Sequence, residues 1–165
     1  MTPDYGVIAG ITNFLDMLAD TELANISYGS IAKKALVKFG FTVLGAGSFR
    51  VCVTHSTVPG VVFKVCYGAN FNQARMKHMT RSEYEFYHTK ASSVDKNHLA
   101  IPYHHGKYVS VMEYVTPTQV ATYEDSNKIY DYLVKHENYV DMHEENIIIR
   151  DDVTVVIDYA MNRAA

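Results

Sequence analysis

Between Phe41 and Tyr67 the chain changes its hydrophobic period, and this change limits the fold more than any other feature. Phe41–Leu44, Phe49–His55 and Val61–Tyr67 are short runs rich in β-branched and aromatic residues. They are separated by Gly45-Ala-Gly-Ser48 and by Thr57-Val-Pro-Gly60. Runs this short with connections this tight pair as antiparallel neighbours, because a parallel pair needs a crossover of about a dozen residues or more. A meander of three antiparallel strands is expected.

Helices flank the meander. Thr2-Pro3 reads as an N-cap followed by proline at the first helical position, and Val7, Ile8, Ile11, Leu15 and Leu18 recur at helical spacing, so a first helix is expected over about residues 3–19. Ser30 opens a second helix, with Ile31, Ala35, Leu36 and Phe39 inward and Gly40 as its C-cap. Residues 1–40 are thus expected to form a helical buttress before a main domain over 41–165, the whole being one globular unit.

Downstream, residues 71–90 lack Pro and Gly and carry Phe71, Ala74, His78, Met79, Phe86 and Tyr87, which reads as a helix. Lys107–Tyr114 alternates like a strand after Ile101-Pro102 and Gly106. Glu124–Glu137 places Ile129, Tyr130, Leu133 and Val134 on one helical face. Ile147–Ile149 and Val153–Ile157 flank the compact turn Arg150-Asp-Asp152. The order is two helices, three strands, a helix, two strands, a helix and a terminal hairpin. It predicts an α+β fold in which a twisted antiparallel sheet packs one long helix.

Composition narrows the function classes. The formal charge of −3 gives no electrostatic reason to expect a nucleic-acid surface. No apolar stretch approaches the ~18 residues of a membrane span, and the N-terminus lacks a signal-peptide pattern, so no membrane partner and a cytoplasmic location are expected. Cys52 and Cys66 fall in adjacent expected strands. A bridge between them is conceivable, but two buried thiols are the expectation in a chain without a secretory signal.

Several residues carry chemistry. Lys64 interrupts the apolar run Val61-Val-Phe-Lys-Val, so it either snorkels from an edge or meets a buried anion. Small residues at Gly45, Ala46, Gly47 and Ser48 would let backbone N–H groups approach phosphate oxygens, with Phe49 as a cap against water; alone, the segment is a tight hairpin turn. Asp141, Asn146 and Asp158 supply hard oxygen donors, and the apolar hairpin ending at Asp158 returns the second acid toward the first. His104-His105, adjacent on an extended segment, read as surface histidines.

Taken in order, Gly40-Phe41, Leu44-Gly45-x-Gly47-x-Phe49, His55, Pro59, Lys64-Val65, Ile101-Pro102 and Asp141-Met142-His143-x-x-Asn146 resemble the protein-kinase superfamily. Within it they are most similar to the early serine/threonine kinases of short-tailed coliphages. The likeness covers roughly residues 40–160 and implies a minimal protein-kinase-like fold with a reduced C-lobe. It implies ATP and Mg2+ as cofactors, Asp141 as the base beside a substrate hydroxyl, and Asn146 and Asp158 as magnesium ligands. Lys64 would hold the α/β-phosphates and pair with a helix carboxylate, Glu83 being the choice and Glu85 the rival. His143 would touch the transferring phosphate or sit as a helix-end histidine. Glu113 and Val115 would form the hinge that meets adenine.

The pattern departs from that family in several places. Arg50 stands near the third glycine, Tyr139-Val140 replaces His-Arg, and Asp158-Tyr-Ala160 replaces Asp-Phe-Gly. Two functions are therefore expected in competition. One is a phage-type kinase that transfers the ATP γ-phosphate to host bacterial proteins in the host cytoplasm. The other is a kinase-fold protein with vestigial chemistry that binds and inhibits a host factor in transcription or defence. The oligomeric state stays open, a homodimer included.

Overall fold

The computed structural model describes residues 3–125, 127–128 and 146–159. Most of the expected Glu124–Glu137 helix, together with Asp141 and His143, lies outside the described residues.

The first helix, α1, runs Tyr5–Asp20. It begins later than the Thr2-Pro3 signal suggests because Asp4 is the N-cap, its carboxylate accepting from the Val7 N–H at 3.1 Å. Helix α2 spans Gly29–Lys38 and buries Ala32 and Leu36, whereas Ile31 is 50% and Phe39 44% exposed. Leu36 is buried and Ala35 packs against the core as expected, whereas Ala32 takes the inward place expected of Ile31. Gly40 ends the segment at φ +90°, a conformation that favours glycine.

The meander follows as β1 (Thr42–Ala46), β2 (Arg50–Thr54) and β3 (Val61–Cys66). Helix α3 covers Gln73–Glu85, shorter than the 71–90 expected, since the chain widens into a π-helical turn over Phe86–Lys90. Phe71 and Ala74 are exposed rather than inward. A short α4 (Ser93–Lys96) with a Ser92–Asp95 capping box precedes β4 (Pro102–His105) and β5 (Val109–Glu113). The terminal hairpin is β6 (Ile147–Arg150) and β7 (Val153–Val156), turned through Asp151 and Asp152 at φ 52° and 64°.

All five strands of the main sheet pair antiparallel in the order β1-β2-β3-β5-β4. The fold class is α+β, as the element pattern implies. Strand pairing divides the sheet into two faces. Val51, Val53, Phe63, Val65, Val109 and Val111 pack in one core with Ile8, Leu15 and Leu18 of α1 and Ala32 and Leu36 of α2. The residues between them, including Cys52, Lys64, Ser110 and Met112, point to the opposite face, where Ser110 Oγ donates to the Thr80 carbonyl of α3 at 2.8 Å. His104 and His105 are half-buried on β4 rather than at the surface, and His105 packs on Tyr84.

A second core of Phe86, Leu99, Met112, Val115, Ile147, Val155 and Tyr159 docks the β6–β7 hairpin beside the sheet. Hydrogen bonds to backbone carbonyls fix its position. Ala100 N donates to the Val156 carbonyl at 3.0 Å, Val156 N to the His98 carbonyl at 2.8 Å, and Tyr159 Oη to the Ala100 carbonyl at 2.6 Å.

Helix α1 is also fastened by charge. The Asp16 carboxylate accepts from the Lys107 N–H at 2.9 Å and the Tyr108 N–H at 2.8 Å, capping the turn between β4 and β5. A Cβ on Gly106 would lie 2.1 Å from an Asp16 carboxylate oxygen, so only glycine admits the contact. Asp16→Ala is expected to lower stability by about 1–3 kcal/mol in urea unfolding, because both N–H donors lose a charged acceptor. Adding Gly106→Ala to that variant should cost less than Gly106→Ala alone, since both break one contact.

Candidate functional site

The cleft between the main sheet and the β6–β7 hairpin measures about 790 Å3, a size suited to a nucleotide-scale ligand. Gly45, Ala46, Gly47, Ser48 and Phe49 border it on one side, Glu113 and Val115 at its end, and Asn146 and Asp158 on the hairpin side, with Lys64 between.

Lys64 is held here by the antiparallel register. It lies opposite Cys52 of β2 and Ser110 of β5, on the face turned from the N-terminal helices. Its ammonium is not snorkelled to solvent, the side chain being only 5% exposed. Lys64 Nζ donates to Glu83 Oε2 at 2.8 Å and to the Ile157 carbonyl at 2.6 Å. Glu83, not Glu85, is the partner: Glu83 is fully buried on α3, whereas Glu85 faces outward toward Arg81.

A second cation shares that carboxylate. Arg50 Nη1 donates to Glu83 Oε1 and Nη2 to Asp158 Oδ1, each at 2.8 Å. The Tyr159 N–H adds a third donor to Glu83 at 3.2 Å. Burial disfavours the Arg50 cation, but the Glu83 and Asp158 carboxylates outweigh it and raise its pKa above the ordinary arginine value. The sequence marks Arg50 only as a missing glycine. The overlooked signal is an arginine opening the apolar run Arg50-Val-Cys-Val53 of a strand, which needs buried carboxylates.

Phe49 does not stand over the cleft as a free cap. It packs against the main core, with the Arg75 guanidinium 4.3 Å above its ring. The loop is further held by Tyr67, whose Oη donates to the Gly47 carbonyl at 2.6 Å, and by the Tyr67 N–H, which donates to the Phe49 carbonyl at 3.1 Å. A Cβ on Gly45 or Gly47 would meet nothing within 4 Å, so neither glycine relieves crowding inside the chain. At the end of β5, the N–H groups of Glu113 and Tyr114 are already donated to the Ile101 and Gly60 carbonyls. The Glu113 carboxylate accepts from Ile101 N and from Arg150.

Two hard oxygen donors, Asn146 and Asp158, border the same cleft, and the Asp158 side chain is 42% exposed to it. That donor set fits Mg2+, which takes one or two protein oxygens and completes its shell from phosphate and water. Among the described residues no group of three or more His, Cys, Asp or Glu forms an all-protein metal cage. Nor is any helix among them long and apolar enough to cross a membrane.

The cysteines are both free thiols. Cys66 is buried opposite Arg50, and Cys52 is half-buried at the cleft wall opposite Lys64. Burial raises the Cys52 pKa, and the nearby Lys64 and Arg50 only partly oppose it.

No family model matches the sequence, and no curated protein matches it. Among solved structures the chain is similar to a ternary complex of APH(2")-IIa with streptomycin and ATP, at 12% identity and a TM-score of 0.45, covering 81% of this chain and 72% of that one. It is also similar to a Rio2 kinase complex with ADP/Mg2+ and phosphoaspartate from Chaetomium thermophilum, at 19% identity and a TM-score of 0.45. That match covers 91% of this chain and 61% of the other, so the chain spans less than two thirds of it. These are likenesses of fold at low identity, and the chemistry of the cleft rests on its own residues.

Two outcomes follow from this geometry. Glu83→Ala should destabilise the protein by about 3–5 kcal/mol in denaturant unfolding, because it strands two buried cations. Cys52 alkylation by iodoacetamide should be slow at neutral pH. A raised pKa keeps the thiol protonated, so the rate should climb about tenfold per pH unit and show no plateau below the ordinary thiol pKa of ~8.5.

Proposed function

We propose that this chain is a minimal serine/threonine protein kinase of the phage type, transferring the ATP γ-phosphate to hydroxyl groups of host bacterial proteins. The observation that carries the reading is the buried Lys64–Glu83 pair, set in a cleft that also takes in a glycine loop, Asn146 and Asp158. A lysine among strand residues with 5% side-chain exposure needs anions, and Glu83 uses only part of its donor capacity.

In this reading Lys64 holds the α/β-phosphates while Glu83 fixes its direction. The backbone of residues 45–48 approaches the phosphates, where Gly45 and Gly47 leave open space. Adenine lies toward Glu113 and Val115, which border the far end of the cleft. Asn146 and Asp158 would hold Mg2+, which would neutralise charge developing on the phosphates. A substrate hydroxyl oxygen forms the new bond to the γ-phosphorus as the bond to the β-bridging oxygen breaks and ADP leaves. Asp141 takes the hydroxyl proton and releases it to water, and His143 donates to the transferring phosphate.

A second reading has its own support. Arg50 and Lys64 balance Glu83 and Asp158 without any ligand, so the same four groups can serve as a structural ion-pair network in a host-factor inhibitor.

Transfer of label from γ-labelled ATP with magnesium, to the protein itself and to a bacterial lysate, separates the two. The kinase reading expects labelled products, with Asp141→Asn lowering the rate by about 10²- to 10⁴-fold and Lys64→Ala abolishing labelling. No transfer by the wild type, with host-factor binding intact in both variants, would establish the inhibitor instead.

A further inference from the structure

The phosphotransfer reading gives Arg50 no role, yet Arg50 holds Asp158, one of the two residues that reading assigns to the metal. Its guanidinium is a fork with one prong on Glu83 Oε1 and the other on Asp158 Oδ1. The two carboxylates differ. Glu83 is 1% exposed and engaged at both oxygens, by Arg50 on one and by Lys64 and the Tyr159 N–H on the other. Asp158 is 42% exposed and opens onto the cleft.

A divalent cation approaching Asp158 therefore meets a guanidinium already on the carboxylate. Two positive groups on one carboxylate repel, and an Arg50 side chain only 8% exposed cannot leave for water. If its Nη2 gives up Asp158, it needs another acceptor inside the cleft. A phosphate oxygen suits it, because guanidinium matches phosphate geometry and binds it by charge-assisted hydrogen bonds. Among the described residues the protein oxygens at this position are Asn146 and Asp158, and phosphate oxygens would add to them in the magnesium shell.

Resting on the nucleotide reading above, we propose that Arg50 makes metal and triphosphate binding one event. While Nη2 holds Asp158, the carboxylate rejects a lone divalent cation. When the nucleotide arrives with its metal, Nη2 transfers to a phosphate oxygen, Nη1 stays on Glu83, and Asp158 Oδ1 passes to the metal. The third-glycine position of the loop thus carries a phosphate-binding cation, and Arg50 determines that the site takes metal only as the nucleotide complex.

The test uses Mn2+ as a paramagnetic stand-in for Mg2+, titrated into the full chain and followed by loss of the free-ion electron paramagnetic resonance signal. It is run with and without a non-hydrolysable ATP analogue. Wild type should bind Mn2+ only with the analogue present. Arg50→Gln should bind Mn2+ alone about tenfold or more tightly than wild type, as expected on removing one nearby positive charge in a partly solvated cleft. Adding Asp158→Asn should erase that gain, and Arg50→Gln should weaken binding of the metal-free analogue. Arg50→Lys, which keeps the charge but cannot span both carboxylates, gives an intermediate gain and serves if circular dichroism shows that Arg50→Gln does not fold. Wild type binding Mn2+ alone as tightly as the variant, or a gain that survives Asp158→Asn, overturns the role of Arg50 while leaving nucleotide binding intact. Failure of every folded form to bind the analogue with Mn2+ overturns the nucleotide reading as well.

Discussion

The organisation of the cleft depends on one buried carboxylate. Glu83 projects from α3 and receives donors from three separate stretches of chain: Arg50 at the start of β2, Lys64 in β3, and the Tyr159 backbone just after the terminal hairpin. A single acceptor can serve both cations because β2 and β3 are antiparallel neighbours. Arg50 lies opposite Cys66 and Cys52 opposite Lys64, so Arg50 and Lys64 sit diagonally on one face of the sheet. Burying one anion with one cation is close to neutral, whereas burying an unmatched charge is strongly unfavourable. This asymmetry makes α3, the meander and the hairpin interdependent through a few atoms.

The opposite face of the sheet has no such chemistry, and it supplies the rigidity. Valines and Phe63 from three strands interlock with α1 and α2 in a single apolar core. Every residue of β3 is buried, since that central strand is covered on both faces. Lys64 is therefore carried by a strand packed on both faces, and its ammonium is held by Glu83 and the Ile157 carbonyl. Asp16 secures α1 at the far edge, where the turn between β4 and β5 would otherwise present unpaired N–H groups.

Much of this was legible from local pattern. Short strands with tight turns dictate antiparallel pairing, and a lysine within an apolar strand implies a nearby anion, which the Lys64–Glu83 contact supplies. What escaped the sequence depends on phase and tertiary geometry. In α2 it is Ala32 rather than Ile31 that faces the core, a choice that helical spacing alone does not make. The π-helical turn after Glu85 leaves no hydrophobic period to read. Arg50 looked like a departure from a glycine pattern, because its partner Asp158 lies 108 positions away. The proposed roles of Asp141 and His143 rest on sequence alone, since they fall outside the described residues.

The arginine also changes what kind of loop precedes it. A glycine in its place would leave the β1–β2 turn free to fold over a ligand, whereas Arg50 ties the turn's far end to α3 and to the hairpin. Tyr67 holds the Gly47 carbonyl, and Arg75 covers Phe49, so the turn is anchored from three directions. Loop closure by hinge motion is then a poor means of excluding water from this cleft. The Arg50–Asp158 contact is the half-exposed link in an otherwise buried network, and under the proposed reading it is the link that a phosphate and its metal would replace. Anchoring of the loop and the one half-exposed ion pair of the network both come from Arg50.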